Sequence, residues 1–352
     1  MQPKDIERRG LHADSAYQTW QKGEGIPTYH GSYLADLYTA EVAPWARTGQ
    51  KGAFVNLADQ EHDDGWLIEI GPGGKTQVLH HLCESTVYVL QGRGTTSFWQ
   101  KDGPKQTLEW GPGSVFSPPV NCHYQHFNLD GQQPVRLFTV TNLPMVMNMY
   151  RSDDFIFGDG YVFKDRYDSS NDYFSDPGHQ LPSGLWQTNF IPDIRSFELE
   201  DHSWRGEGDR NMRFKLANNQ MECHTSEFPP GLYKKAHRHG VGAHVVILTG
   251  VGYSLLWFEG EKPRQVDWKD GSVLSPKEME YHQHFNTGPT PARYFAMRLG
   301  ALDHTGAWYT PEELEGISYE DQDPEIHDLY VTECAKHGAQ VKKTRPEYAG
   351  AR

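Results

Sequence analysis

The chain has 352 residues, a length that fits two domains of ordinary size. Its 47 acidic residues outnumber 33 basic ones, for a formal charge of −14, and no basic stripe is visible, so a nucleic-acid partner is not expected. No stretch approaches the ~18 apolar residues of a membrane helix, and residues 1–9 carry charges with no apolar run behind them. The expectation is a cytoplasmic protein with neither membrane span nor signal peptide. Cys83, Cys122, Cys223 and Cys334 form no CxxC pair, which suits free thiols in a reducing compartment. A Cys83–Cys122 disulfide stays open. With 35 Gly, 22 Pro and 12% aromatics, the composition favours many short strands over long helices.

In chain order, residues 1–30 read as a polar arm, helical or extended. Residues 31–150 hold strand-like runs punctuated by glycine, such as Val87-Tyr88-Val89-Leu90 before Gly92 and Gly94. Residues 151–184 are rich in Asp, Tyr and Phe. They read as an ordered linker, because leaving those aromatics in water is costly. Residues 185–305 repeat the strand pattern, as in Val245-Val246-Ile247-Leu248 before Gly250 and Gly252. Residues 306–352 form a tail with helix signals, Thr310 as cap and Pro311 in the first turn.

The two strand-rich stretches are copies of each other. A shift of 158 aligns them without a gap over about sixty residues. Pro72-Gly73 falls on Pro230-Gly231, Trp99 and Trp110 on Trp257 and Trp268, and Gly113-Ser114-Val115 on Gly271-Ser272-Val273. Gln125-His126-Phe127-Asn128 falls on Gln283-His284-Phe285-Asn286, and after one deletion Arg136 matches Arg293.

The second copy contains His237-Arg238-His239, then His244, and later His282. Residues two apart on a strand share a face, so His237 and His239 can point inward together. His244 and His282 are expected to join them from neighbouring strands. Several converging imidazoles suit a transition metal. Glu280 lies two residues before His282 and is a candidate proton acceptor or substrate contact. His284 is a second catalytic candidate. Its twin His126 in the other copy also suits a structural role. At the positions of His237, His239, His244 and His282 the first copy carries Leu79, His81, Thr86 and Tyr124, so its site is expected to be lost.

This pattern resembles the cupin superfamily, and the duplication resembles its two-domain members, the bicupins. The first cupin motif runs from glycine through HxH and three or four residues to Glu and a further glycine. Here Gly231 leads to His237 and His239, then His244 at the glutamate's place, and Gly250. The second motif runs here through Gly271, Pro276, His282 and Asn286. The resemblance implies an all-β chain of two tandem antiparallel, jelly-roll-like barrels with short helical additions at the termini. It also implies a homodimer and one divalent metal ion per chain. Loss of the carboxylate turns the expectation from manganese oxalate enzymes toward histidine-only iron dioxygenases of the gentisate and salicylate type, although those keep their metal in the first barrel. Fe(II) is therefore the first expectation, with Zn, Mn or Ni as alternatives. The leading function is an Fe(II) dioxygenase acting on a small aromatic or oxygenated organic acid. The alternatives are an O2-independent lyase, isomerase or decarboxylase, and a non-enzymatic ligand-binding cupin.

Overall fold

The computed structural model describes residues 14–101, 103–182, 184–300 and 315–348. The Thr310-Pro311 helix start expected from the sequence lies outside them. The strands fall into four sheets, two per copy. In the first unit a large sheet carries Gln50–Val55, Asp64–Ile70, Val135–Thr141 and Ser85–Gln91 side by side, facing a smaller sheet of His123–Asn128, Gly94–Trp99 and Gln106–Trp110. The second unit repeats this with Arg210–Leu216, Met221–Phe228, Ala292–Leu299 and His244–Thr249 facing Arg264–Lys269, Val251–Trp257, Tyr281–Asn286 and Ala236–Arg238. Among the described residues the facing sheets do not join at their edges. Each expected barrel is therefore an open two-sheet jelly roll, closed by side-chain packing.

The repeated residues explain themselves locally. Gly94 lies opposite Trp110 and Gly252 opposite Trp268. A Cβ on either glycine would strike the facing indole. Arg136 donates to Glu69 and to the carbonyls of Leu37 and Ala40. Its twin Arg293 donates to Glu227 and to the carbonyls of Ile194 and Phe197.

Those anchored segments do not stay with their own unit. Tyr33–Leu34 pairs with Leu274 and Val273 of the second unit, and Phe190–Ile191 pairs with Phe116 and Val115 of the first. The amides of Leu37 and Ile194 then donate to the carbonyls of Gly271 and Gly113. Both glycines hold positive φ, +83° and +91°, and a side chain on either would meet the arriving segment. The exchange makes the two large sheets share one apolar layer, in which Leu67, Phe138 and Val140 of the first unit join Val246, Phe295 and Met297 of the second.

The additions pack on this frame. The Ala16–Gly23 helix, capped by Ser15, buries Tyr17 and Trp20 against the first unit. Part of the linker packs on the first unit. Ile156 and Tyr167 are buried in the first unit's core. The Pro324–His337 helix packs Tyr330 on Tyr233 and Phe285 of the second unit, and Glu315–Ile317 pairs with Ala236–Arg238. All four cysteines are free and buried, which closes the question of a Cys83–Cys122 bond. No described helix is long and apolar enough to cross a membrane.

Where helix and sheets meet, Asp64 is fully buried. It accepts from the Tyr17 hydroxyl, from Gln21 Nε2 at 2.8 Å and from the Gly65 amide at 2.7 Å. Burial pushes its carboxyl up to about 6, despite these donors. The folded chain therefore binds this proton more tightly than the unfolded chain. The resulting stability is full below about pH 4 and is lost as pH rises through 6. Asp64→Asn should flatten that part of the stability–pH curve, by about 3 kcal/mol between pH 4 and 7 in chemical denaturation. Parallel curves for the two proteins would refute the assignment.

Candidate metal centre

In the second unit His237 stands directly opposite His282 across the pair of antiparallel strands. His239, two residues on, shares the face of His237. The ring centroids of His237 and His282 are 4.0 Å apart, those of His239 and His282 5.0 Å, and those of His237 and His239 5.5 Å. One nitrogen from each of the three lies within 4.8 Å of the others, the one such metal-competent group among the described residues.

Two of the rings are oriented from behind. His239 Nδ1 lies 3.0 Å from the Val241 carbonyl and His282 Nδ1 3.1 Å from the Glu280 carbonyl. A carbonyl at Nδ1 fixes that nitrogen as the N–H and turns the Nε2 lone pair toward the centre. Burial draws all three imidazoles well below the ordinary histidine value, His282 to about 4, so they stay neutral and ready to bind. The donor set fits a divalent ion of the zinc, iron, manganese or nickel kind.

His244 is not part of this group. Its ring is wholly buried on the opposite face of its strand, with Nδ1 3.1 Å from the Asp63 carboxylate and Nε2 3.1 Å from the Val55 carbonyl, both in the first unit. Burial alone would lower its basicity, but the Asp63 and Asp64 carboxylates hold it above the ordinary value. With Nε2 on the Val55 carbonyl and Nδ1 beside the Asp63 carboxylate, the ring faces away from the three histidines and presents no nitrogen to them. The pleat decides this: Ala243, Val245 and Ile247 pack on the unit's own inner layer, whereas Val246 and Leu248 face the layer shared with the first unit. With three residues after His239 rather than four, the glutamate's place in the cupin motif falls on Ala243, which lines the cavity.

Glu280 does not reach the cavity either. Its carboxylate accepts from the Lys277 amide at 2.9 Å and lies 3.3 Å from Arg264, and only its carbonyl serves the site. His284 does line the cavity, with Nδ1 2.7 Å from Ser254 Oγ, to which Trp268 Nε1 donates at 3.0 Å. The first unit repeats that chain as His126, Thr96 and Trp110. A network present in both copies belongs to the fold, which removes the reason for a catalytic His284.

The first unit has replaced the centre. Tyr124 stands where His282 does, and its hydroxyl lies 2.7 Å from His81 Nε2, satisfying the one imidazole that remains. Leu79 and Trp66 fill the adjoining space. In the second unit the corresponding space is a cavity of about 70 Å³, room for about five waters or one small acid. It is lined by Arg205, Lys234, Tyr294, Arg298 and His224 as well as the three histidines. Arg205 Nη2 approaches the His237 ring at 2.7 and 2.8 Å. Sequence reading passed over these residues, although a signal existed. At the twin positions of Lys234, His224 and Tyr294 the first copy has Thr76, Trp66 and Leu137.

His237→Ala and His282→Ala should each reduce affinity for Zn2+ or Mn2+ at least about 100-fold in equilibrium dialysis. His244→Ala should leave that affinity intact and cost about 3 kcal/mol of stability, because it strands the buried Asp63. An emptied site in a fully stable His244→Ala protein would return His244 to the ligands.

The family model described as auxin binding protein matches residues 54–168, in the first unit and the start of the linker. Auxin-binding protein 4 of Zea mays is 31% identical over 85 residues, 23% of this chain and 42% of that protein. Auxin-binding protein T92 of Nicotiana tabacum is 32% identical over 94 residues, 25% of this chain and 50% of that protein. The chain thus spans about half the length, or less, of these relatives. Among solved structures, the Lactobacillus farciminis oxalate decarboxylase formate complex superposes with a TM-score of 0.54 at 12% identity, covering 86% of this chain and 93% of that one. A Bacillus subtilis oxalate decarboxylase mutant gives 0.53 at 11%, covering 89% and 88%. Their two-domain fold is the fold found here, and it agrees with the bicupin resemblance of the motifs and the duplication.

Proposed function

We propose that this bicupin is a metal-dependent enzyme whose second unit is the active one, and that it carries out O2-independent lyase, decarboxylase or isomerase chemistry on a small oxygenated organic acid. The observation that carries this reading is the company the three imidazoles keep. His237, His239 and His282 open into a small cavity beside the Arg205 guanidinium and the mutually paired Lys234 and Asp209. That surplus of positive charge suits an anion of carboxylate size. A divalent ion held by the three histidines would supply Lewis acidity toward an oxygen of that anion. Arg205 would orient the carboxylate, and the walls would keep most water out. The fold shared with oxalate decarboxylases, one of which is described with Mn(II) centres, supports this reading above oxygenation.

The auxin-binding resemblance supports no auxin site here, because it falls on the unit in which Trp66, Leu79 and Tyr124 fill the cavity. A mononuclear Fe(II) dioxygenase is the second reading, favoured by a ligand set with three imidazoles and no carboxylate.

The test is metal content of protein purified without added metal, combined with oxygen uptake and CO2 release against a panel of small carboxylic and hydroxylated aromatic acids. About one manganese or zinc per chain, with loss of substrate and no oxygen uptake, is the expected result. Iron with stoichiometric oxygen uptake would replace the proposal by the second reading.

A further inference from the structure

The deep wall of the cavity carries a group of residues that the imidazole centre does not use. Lys234 and Asp209 are almost wholly shielded, with side-chain exposures of 2% and 1%, and Nζ lies 2.8 Å from Oδ1. The ammonium also donates to Ser226 Oγ at 2.5 Å and to the Tyr294 phenol oxygen at 3.1 Å. Ser226 in turn donates to Asp209 Oδ1 at 3.0 Å. The other carboxylate oxygen, Asp209 Oδ2, is buried and has no hydrogen-bond partner among the described residues. Since Tyr294 accepts from Lys234, its own O–H remains to be donated into the cavity it lines. Its ring lies 5.4 Å from His284, whose ring lies 5.8 Å from that of His282.

The first unit shows that the fold does not need this group. Thr76 and Lys234 make the same backbone bond, to the carbonyls of His126 and His284, and so hold the same place. Ile68 and Leu137, paired across their strands, stand where Ser226 and Tyr294 are paired. One copy closes this wall with Ile68, Leu137 and a threonine, none of them charged. The other buries an ion pair there, at the desolvation cost of both charges. The polar version occurs in the unit that holds the three histidines.

We propose that Tyr294 is the proton donor of the second unit's site, and that Lys234, locked by Asp209, is the positioning residue that aims and recharges it. This rests on the reading of the site as one for O2-independent bond breaking at carbon. When a C–C bond of the bound acid breaks with loss of CO2, the bonding electron pair stays on the remaining carbon. The Tyr294 O–H bond breaks, its proton joins that carbon, and its electrons stay on the phenolate oxygen. Lys234 returns a proton to that oxygen, and a solvent proton restores the ammonium, so one solvent proton takes the place of each CO2 released. Among the described residues, Lys234 with its partner Asp209, His284, His224 and Arg205 are titratable or charged groups around Tyr294.

The experiment incubates Mn-loaded protein in D2O with a panel of small dicarboxylic, 2-oxo and 2-hydroxy acids and reads deuterium on carbon by NMR. Wild type should incorporate deuterium into at least one product. Tyr294→Phe, which keeps the ring in place, should incorporate it at least about 100-fold more slowly with unchanged metal content. Lys234→Met combined with Asp209→Asn removes both charges together and should displace the pH profile, which a merely structural role would not do. A readout without turnover uses metal-free protein and malonate in calorimetry, where Tyr294→Phe should bind about tenfold more weakly. Incorporation by Tyr294→Phe within twofold of wild type would overturn the role of Tyr294 and leave the proposed function standing. A metal-loaded wild type that labels none of the acids would overturn both.

Discussion

The second unit's large sheet is buried on both faces, and that constraint organises the rest of the molecule. One face lines its own cavity and the other lies against the first unit's large sheet. Strand pleating then sends alternate residues of His244–Thr249 and Ala292–Leu299 into two different environments. Val246, Phe295 and Met297 complete the shared apolar layer, while Ala243, Val245 and Ala296 pack on the inner side. Buried polar residues in such a sheet must find partners on whichever side the pleat assigns them. His244 finds Asp63 across the junction, and Tyr294 finds Lys234 within the cavity. The reciprocal exchange of Tyr33–Leu34 and Phe190–Ile191 holds the two sheets in that relation from both sides.

Duplication supplies an internal control for what the fold requires. Retained in both copies are the Arg136 and Arg293 anchors, the Gly–Trp cross-strand fits, and the His–Ser/Thr–Trp chain of His126 and His284. They fix turns, strand approach and the inner corner of each jelly roll. The copies part company in what fills the space between their sheets. The first has Trp66, Leu79, Leu137 and Tyr124, with the Tyr124 hydroxyl on the last imidazole. The second has imidazole, guanidinium, ammonium and phenol around a small opening. One copy is packed core where the other leaves a cavity beside three imidazoles.

Electrostatically the two interiors differ as sharply. The inner wall of the second unit is lined with neutral imidazoles and cations, and the Asp209 carboxylate on it is paired with Lys234. Burial keeps the imidazoles unprotonated, which suits them to a metal. The guanidinium of Arg205 lies against His237, where the approach of an anion would relieve its desolvation. These groups sit on strands and short turns rather than long loops, so the site is largely preorganised.

Much of this could be read from residues alone. The register at a shift of 158, the alternation that puts His237 and His239 on one face, and the loss of ligands in the first copy depend only on local order. They determine the duplicated β-sandwich and the face on which His237, His239 and His282 gather. His244 was misassigned because motif spacing allows either three or four residues before the next position. A one-residue difference in a strand reverses the face, and only the sheet buried against the first unit shows which face is inward. Glu280 was misplaced because it lies in the turn before its strand, where alternation does not apply and the Lys277 amide claims its carboxylate. The exchanged segments, the Asp63–His244 junction and the Lys234–Tyr294 wall join residues far apart in the chain. No local pattern encodes such distant contacts, so the sequence determined the repeat and its histidine face, and the packing of one unit against the other decided which polar residues meet.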